Sequence, residues 1–245
     1  MAPGCMTPKI YLIDWSARNI SEENEMERRG IAQEYYILAV TDIGCMPAMH
    51  REEGNAALVA AGFMDLLMNE VVSMDGKTIK VERELPDSLE HLTVLYEYLK
   101  KKPRTALKMI SDFLTYDISR MGQFIADTGA SLLGDQSVRE EKGGMLGNRT
   151  VYIPQKSART ALAERLREAA RDGGDMSPED GALLWILKSS KNLDQYFSKF
   201  ERKDLKARLK ELKKDPQSLE MGRMIRYMSS VDDMLLACLM VGIIV

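Results

Sequence analysis

One run of residues, Asn55 to Met68, constrains the fold of this chain more than any other feature. Its sequence, NAALVAAGFMDLLM, is apolar on every side of a helix, and Asp65 is the single acid inside it. A helix without a polar face has to be buried, so the run predicts a central helix with other helices packed around it. A buried carboxylate needs partners, and we expect Asp65 to be held by an ion pair or by a helix end.

Most of the remaining chain also has helical patterns. Residues 31–42 have the apolar density of a core helix, and the segment Ser177–Asp180 has the cap, proline and acids that start one. The chain is therefore expected to be mainly α, as a compact multi-helix bundle. Other helices are predicted from Pro86 through Leu99, from Arg104 to about Leu114, from Asp117, from Ser157 to Arg171, from Asn192 to Phe200, from Lys203 to Lys214 and from Asp215 onward.

Two β-hairpins interrupt this helical pattern. A short one is predicted around Asp75-Gly76, because this dipeptide is typical of tight turns and lies between β-branched residues. A longer one is predicted from Ser137 to Tyr152, around a Lys-Gly-Gly turn. Residues 1–30 have no apolar stripe and are predicted to be an N-terminal arm, whereas residues 31–245 are predicted to form one helical domain.

Composition excludes several classes of protein. With 45% hydrophobic and 29% charged residues, the chain is neither disordered nor a multi-span membrane protein, and its formal charge of −3 gives no general attraction to polyanions. Three scattered cysteines without a CxxC pair favour a reducing compartment. We expect no signal peptide and a cytoplasmic location. The apolar run Met234–Val245 is shorter than a membrane-spanning helix and is predicted to be a buried core helix.

No residue pattern indicates catalysis. The chain has two histidines, and neither lies in a metal-binding or nucleophile motif. We therefore expect no metal, no cofactor and no enzymatic activity, and His91 is predicted to lie on the surface of its helix. The basic segment Lys199–Lys214 has opposite charges at helical spacing, which is typical of a solvated helix face and favours it over a lipid or nucleic-acid patch.

Two alternative functions stay open on the residues alone. An enzyme of unrecognised type would be favoured by a deep pocket that holds Asp65 together with His50. A nucleic-acid binder would use the first hairpin as the wing of a winged helix. The charge of −3 and the absence of lysine and arginine from Asn55–Met68 argue against nucleic acid as a partner.

The order of the elements carries more information than any single motif. Glu34–Val40 is followed by the apolar helix with one acid and by the short hairpin, and Val138–Gly147 follows later. Downstream come the helix Ala161–Ala170, the helix Pro178–Leu187, a basic helix and an apolar closing helix. This order, over residues 31–245, resembles that of the Golgi phosphoprotein 3 family, and the long hairpin is especially similar to that of its prokaryotic members.

The resemblance implies a helical body, a projecting β-hairpin and a non-enzymatic role. Golgi members of the family are peripheral membrane proteins that bind phosphatidylinositol 4-phosphate and retain glycosyltransferases through their cytosolic tails. Self-association through the hairpin is attributed to some members. The resemblance therefore implies three partners, which are an anionic lipid headgroup, a second copy of the chain and a protein that the sequence does not name, and a place in the cytoplasm at a membrane surface.

The lipid site of the family is matched only in part. By ungapped matching, the family's headgroup tryptophan falls near His50, one arginine falls at Val59, and two more fall at Thr115 and Ile118. A phosphate pocket without its arginines loses its bidentate donors, so we expect headgroup-specific binding to be weak or absent. The candidate headgroup ligands that remain are His50, Arg51 and Arg120.

The long hairpin is the second candidate site. A lone two-stranded hairpin is only marginally stable in water, so it needs a surface, which is its own body, another subunit or a membrane. The resemblance favours another subunit or a membrane, and the residues leave packing on its own body equally open. The residues predicted to contact a second copy or a membrane are Val138, Met145, Leu146, Val151 and Tyr152.

Overall fold

The apolar run forms the central helix of the structure. The computed structural model describes residues 29–116, 118–143, 148–171, 174–214, 216 and 218–241. In the central helix, Arg51–Met68, every residue from Gly54 to Leu67 except Asn55 is buried. A Cβ added at Gly62 would lie 2.9 Å from the Phe124 ring, so the small residues of this helix let its neighbours approach closely.

The central helix is the second of nine α-helices in the described residues. Around it pack the first, seventh and ninth helices, which cover most of its surface. A bundle built on one buried helix is the mainly-α fold that the sequence predicts. The helices are α1 Ile31–Ala39, α2 Arg51–Met68, α3 Thr93–Lys100, α4 Ala106–Ser111, α5 Ile118–Ala130, α6 Lys156–Ala170, α7 Pro178–Ser189, α8 Lys199–Lys214 and α9 Leu219–Val241.

Two small antiparallel sheets accompany the helices, and both predicted hairpins are confirmed. In the first sheet, Asp75 pairs with Thr78 across a turn in which Gly76 has a φ of +60°, as a tight hairpin turn requires. In the second, Gly143 pairs with Arg149 next to the turn. The first sheet has the order β1 Val72–Asp75, β2 Thr78–Val81 and β3 Arg104–Thr105, and the second consists of β4 Val138–Gly143 and β5 Arg149–Pro154.

The N-terminus of α1 is capped by a side chain from α2. The residue before α1 is Gly30, which has no side chain to accept a hydrogen bond, and the Asp65 carboxylate takes that role. The backbone N–H of Ile31 donates to Oδ1 at 2.7 Å and that of Ala32 donates to Oδ2 at 2.9 Å. A Cβ at residue 30 would lie 2.9 Å from Oδ2, so glycine is needed here. The expected contact between Asp65 and a helix end is confirmed.

Buried charges continue from this cap into α6 and α7. Arg165 of α6 pairs with the buried carboxylates of Glu34 at 2.7 Å and Asp180 at 2.9 Å. Burial raises the pKa of Asp65 to about 7, against the effect of its two N–H donors, and Glu34 adds to the rise. One guanidinium thus ties α6 to both α1 and α7.

The segments after two prolines differ from the helices predicted there. After Pro86 the chain forms a 3-10 segment, Asp87–Leu92, so that an α-helix begins only at Thr93. Arg104 does not begin a helix but pairs with Ile79 as part of β3. At Arg104 the pairing with β2 outweighs local helix propensity.

His91 is buried, and the prediction that it lies on the helix surface is wrong. It belongs to the segment Asp87–Leu92, whose helical turns are interrupted at Leu89 by a φ of −111° and a ψ of 16°, so that α-helical spacing does not predict which side chains face the core. Burial lowers the pKa of His91 to about 4. Its Nε2 atom has no hydrogen-bond partner among the described residues.

The last helix, α9, is fixed to α7 by a polar contact. The Trp185 indole N–H donates to Asp232 Oδ1 at 2.6 Å, and the Ser189 hydroxyl donates to the same oxygen at 3.1 Å. The prediction that Met234–Val245 is buried concerns side chains outside the described residues. None of the described helices has both the length and the apolarity that crossing a bilayer requires.

The cap of α1 can be tested by Asp65→Ala. We expect the free energy of unfolding to fall by about 2–4 kcal/mol, because two buried N–H groups lose their acceptor. Asp75→Ala removes an exposed carboxylate that pairs only with Lys80 at the surface, and it should change stability little. Chemical denaturation compares the two variants, and equal losses would contradict the capping role.

The burial of His91 predicts a pH dependence of the free energy of unfolding. A pKa lowered from 6.5 in the unfolded chain to about 4 in the fold stabilises the protein above pH 6.5, and this contribution is lost as the pH falls toward 4. Relative to His91→Leu, the unchanged protein should lose about 2 kcal/mol between pH 7.5 and pH 5. His50→Leu is the control and should keep that loss. Denaturation at both pH values measures it, and a loss that persists in His91→Leu would refute this origin.

Candidate functional site

Several elements meet at one end of the bundle, which we call the loop end because residues 40–50, between α1 and α2, form it. α1 runs toward this end and α2 runs away from it. α5 is antiparallel to α1, since the Gln33 amide donates to Ser131 at 2.9 Å and Gly129 lies beside the Tyr36 hydroxyl. The first turn of α5 therefore also lies at the loop end.

The loop itself is held by Arg159 of α6. This side chain donates to the carbonyl of Ile37 at 3.1 Å, donates to the carbonyl of Val40, and pairs with Asp42 at 2.6 Å. These contacts satisfy carbonyls at the C-terminus of α1, which have no partner within the helix. The position of the loop is thus set by a polar contact from the body.

The loop end exposes two large apolar side chains beside a cation. Ile43 is 74% exposed and Met49 is 86% exposed. Arg51, two residues after Met49 at the start of α2, is also exposed, and His50 is half-buried with Nδ1 3.6 Å from the Glu53 carboxylate. Exposed apolar groups with an adjacent cation are typical of surfaces that contact anionic membranes or protein partners.

The stem of the long hairpin packs on the body of the protein. The Tyr36 hydroxyl donates to the carbonyl of Tyr152 at 2.7 Å, and a Cβ added at Gly129 would lie 2.8 Å from Tyr152 Cβ. Val138 and Ile153 are buried. The stem of the hairpin therefore packs on the helical body of the same chain, rather than on another subunit or a membrane. Residues at the base of the hairpin belong to the core.

The outer half of the hairpin reaches the loop end. Val151 fills the space above Gly44, where a Cβ would lie 2.6 Å from Val151 Cβ and where φ is +72°. Arg149 lies over Gly122 in the first half of α5, with Nη2 3.9 Å from the position that a Cβ would take. The hairpin and the loop are thus in contact. The predicted tip residues Met145 and Leu146 lie outside the described residues.

The third headgroup candidate, Arg120, belongs to a cluster around Tyr98. The guanidinium carbon of Arg120 lies 5.0 Å from the centre of the Tyr98 ring and 5.5 Å from that of Phe113. Arg104 lies 3.8 Å from the centre of the same Tyr98 ring. Two guanidinium groups on one aromatic ring make a site that can offer paired N–H donors to a phosphate.

Asp112 balances part of this positive charge. The Tyr98 hydroxyl donates to its carboxylate at 2.8 Å and Lys108 pairs with it at 2.6 Å. Burial would raise the pKa of Asp112, but Lys108 and Tyr98 hold it below its ordinary value. Burial, followed by the hydrogen bond to Asp112, raises the pKa of Tyr98. The carboxylate therefore stays ionised beside Arg104, and the aromatic ring is fixed between charges.

The residues matched to the family's lipid arginines do not form a second phosphate site. Val59 is fully buried in α2, so a side chain at this position faces the core, and Thr115 is exposed. The side chain of Ile118 is outside the described residues. His50 lies near Glu53, and Arg120 lies over the rings of Tyr98 and Phe113.

The pocket that would have favoured an enzyme is not formed. Asp65 is buried against the N-terminus of α1, and His50 lies 15 residues earlier, which places it about 22 Å away along the helix. Among the described residues no group of three metal-binding side chains is found.

Comparison with protein families gives an assignment for this architecture. The family model of Golgi phosphoprotein 3 (GPP34) matches residues 31–228. The chain belongs to the Golgi phosphoprotein 3 family. The match begins at the first residue of α1 and ends within α9, so it includes the loop end, both hairpins and the Tyr98 cluster. Golgi phosphoprotein 3 proteins are a family of non-enzymatic adaptors. A comparison with curated proteins gives no match.

Sequence reasoning missed the two exposed apolar residues of the loop. Ile43 and Met49 lie in a segment rich in turn residues, which includes Gly44 and Pro47, and an isolated large apolar residue in such a segment is a signal that could have revealed them. The stacking of Arg104 on Tyr98 had no comparable signal, because it depends on the unpredicted strand β3.

The packing of the hairpin stem predicts the effect of Gly129→Ala. The added methyl group would meet Tyr36 and Tyr152, so the stem should separate from α5, and amides of β5 should exchange with solvent at least tenfold faster. Gly134→Ala is the control, since no atom lies within 4 Å of its Cβ position. Hydrogen exchange measures both variants. Unchanged protection of β5 in Gly129→Ala would show that the stem does not depend on this contact.

Proposed function

We propose that this Golgi phosphoprotein 3 family member is a non-enzymatic adaptor that attaches to an anionic membrane surface through its loop end. The observation that carries the proposal is the exposure of Ile43 and Met49 beside Arg51. Water contact of these apolar side chains is unfavourable, and a bilayer surface would accept the side chains and the cation together.

The expected strength of this attachment is modest. Transfer of a methionine side chain from water to an apolar environment contributes about 1.5–3 kcal/mol, and a cation near an anionic leaflet adds about 1 kcal/mol. Two apolar residues and a few cations therefore give reversible binding, as an adaptor that leaves and returns to a membrane requires. Arg159 supports this role, because a loop already held in place loses little entropy on binding.

General attraction to anionic lipid is the form of binding that this chain supports, rather than recognition of one headgroup. Val59 is in the core, and the cluster of Arg104 and Arg120 on Tyr98 is the described site best suited to a phosphate. We therefore propose two places where headgroup phosphates are bound, the Tyr98 cluster and His50 with Arg51, with little distinction between phosphoinositide isomers.

Self-association through the hairpin remains a prediction. The buried residues Val138 and Ile153 already face the body, and Tyr152 is packed against α5. Among the described residues of the hairpin, the outer edge of β4 is left for a second copy, since residues 139–142 are exposed, and Met145 and Leu146 stay predicted contacts. A strand edge with unpaired backbone groups can pair with the same edge of another copy.

The proposal is tested by Met49→Asp. Loss of the apolar contact and introduction of a negative charge should weaken sedimentation with phosphatidylserine-containing vesicles at least tenfold. Leu219→Asp is a matched control, because Leu219 is also 86% exposed but lies at the start of α9, away from the loop end. This variant has the same change in charge and should bind as the unchanged protein does.

The comparison with Leu219→Asp separates the loop end from a general effect of charge. Equal weakening of both variants would contradict attachment through the loop. Failure of the unchanged protein to sediment with anionic vesicles at all would overturn the membrane part of the proposal and leave the assignment to the adaptor family in place.

A further inference from the structure

We infer that α8 is a second membrane-contact surface, whose row of lysines binds anionic lipid headgroups by charge alone. The inference rests on the proposed membrane attachment for its setting, but its evidence comes from different residues. α8 spans Lys199–Lys214, about 24 Å at 1.5 Å per residue, and only Leu205, Leu209 and Leu212 face the core.

The lysines of α8 form one continuous row. At 100° per residue they fall within a sector of about 100° on one side of the helix. The acids of α8, which are Glu201, Asp204 and Glu211, all fall outside that sector. The six members of the row are exposed along the whole length of the helix: Lys199, Lys203, Lys206, Lys210, Lys213 and Lys214.

These lysines are not neutralised by the protein. None of the six forms an ion pair with a carboxylate of a described residue, and Lys213 instead lies 5.5 Å from the centre of the Trp185 ring. The whole chain carries a formal charge of −3, so its charge without this row would be −9. A charge of +6 on one helix face produces a positive local field, although the protein as a whole is acidic.

The arginines of the same helix show that the row is distinct from ordinary pairing. Arg202 pairs with Asp194, and Arg208 donates to the carbonyls of Arg171 and Gly174. The guanidinium groups thus fasten α8 to the body, whereas five of the six lysines have no described contact with the body and the ammonium group of Lys213 lies over the Trp185 ring. The presence of opposite charges at helical spacing predicts a solvated, self-paired face, but here the acids and the lysine row lie on different sides.

The chemistry of the row favours a lipid surface over other polyanions. Lysine is a hydrated point charge suited to a diffuse array of headgroups, and the row contains no arginine, asparagine or glutamine to read base edges. A straight helix also meets a flat surface along its full length. Phe200, 73% exposed in the first turn of α8, adds an apolar group of the kind that inserts among lipids.

The position of α8 is consistent with the same membrane. The chain enters α8 from residues 193–197, where the Tyr196 hydroxyl donates to the carbonyl of Leu38 at 2.6 Å. Leu38 is in the last turn of α1, whereas Glu201 in the first turn of α8 lies 3.8 Å from Arg167, eight residues beyond the loop-binding Arg159 in α6. The Tyr196 side chain therefore connects the start of α8 to the end of the bundle that carries Ile43 and Met49.

The experiment replaces three central lysines of the row. Lys203→Gln, Lys206→Gln and Lys210→Gln are combined in one full-length variant, because glutamine keeps helix propensity while removing charge. A matched control combines Lys77→Gln, Lys101→Gln and Lys102→Gln, which are equally exposed and change the net charge equally. Binding is measured by sedimentation with vesicles of phosphatidylcholine alone and of phosphatidylcholine mixed with phosphatidylserine.

At a low ionic strength of about 0.01 M, the α8 variant should partition onto phosphatidylserine vesicles about 100-fold more weakly than the unchanged protein. The control variant should lose less than about threefold, and the difference between the variants should vanish at about 1 M salt. Equal losses in the two variants would overturn the inference, because net charge alone would then explain binding. The inference would also be overturned if the unchanged protein bound duplex DNA or polyglutamate more tightly than the vesicles and the α8 variant lost that binding.

The loop variant makes the two proposals separable. If Met49→Asp keeps full binding while the α8 variant loses it, the loop end fails as a contact and the lysine row stands. If Met49→Asp loses binding while the α8 variant keeps it, the lysine row fails and the loop end stands. If the unchanged protein does not bind phosphatidylserine vesicles at low salt, both proposals are wrong.

Discussion

The two hydrogen bonds from the first turn of α1 to Asp65 fix the geometry on which the rest of the structure depends. Gly30 brings no capping group of its own, so the start of α1 is determined by α2, the helix that the core surrounds. A carboxylate that binds a helix N-terminus also interacts favourably with the helix dipole. Because α1 is oriented in this way, its C-terminus lies at the loop end, where residues 40–50 follow.

Arginine and lysine have separate tasks in this protein. Arg159 holds the loop, Arg165 joins three helices and Arg208 fastens α8 to the turn after α6. The guanidinium group suits these tasks because it offers several donors in a fixed plane. The lysines of α8 form no ion pair with a carboxylate of a described residue, and they are exposed to solvent or to an anionic surface. The formal charge of −3 is a sum over the whole chain and gives no indication of these separate roles of arginine and lysine.

Much of the fold could be read from the sequence because it depends on strong local patterns. The buried α2, the Asp75-Gly76 turn and the Ser177 cap are each determined within a few residues. The inward turn of His91 and the pairing of Arg104 with β2 could not be read, because both depend on residues distant in the chain. Tertiary contacts of this kind leave no periodic signal.

The candidate site could likewise be predicted from the sequence only in part. The residue types of the hairpin and of His50–Arg51 drew attention from the sequence, but their meeting at one end of the bundle depends on how α1, α2 and α5 are packed. Ile43 and Met49 became notable only when their exposure was known. Conversely, Val59 is matched to a lipid-binding arginine by ungapped matching, but it is buried in the core, where a side chain cannot reach a lipid headgroup.

The contact between Val151 and Gly44 links two elements that could otherwise act independently. Since the valine side chain occupies the space over the glycine, β5 and residues 40–50 have to move together. A protein that pulled the hairpin outward would loosen the loop, and a loop held at a bilayer would in turn restrain the hairpin. Binding of a partner to the hairpin and attachment of the loop to a surface would then be thermodynamically coupled, and the coupling free energy would be the same in either direction.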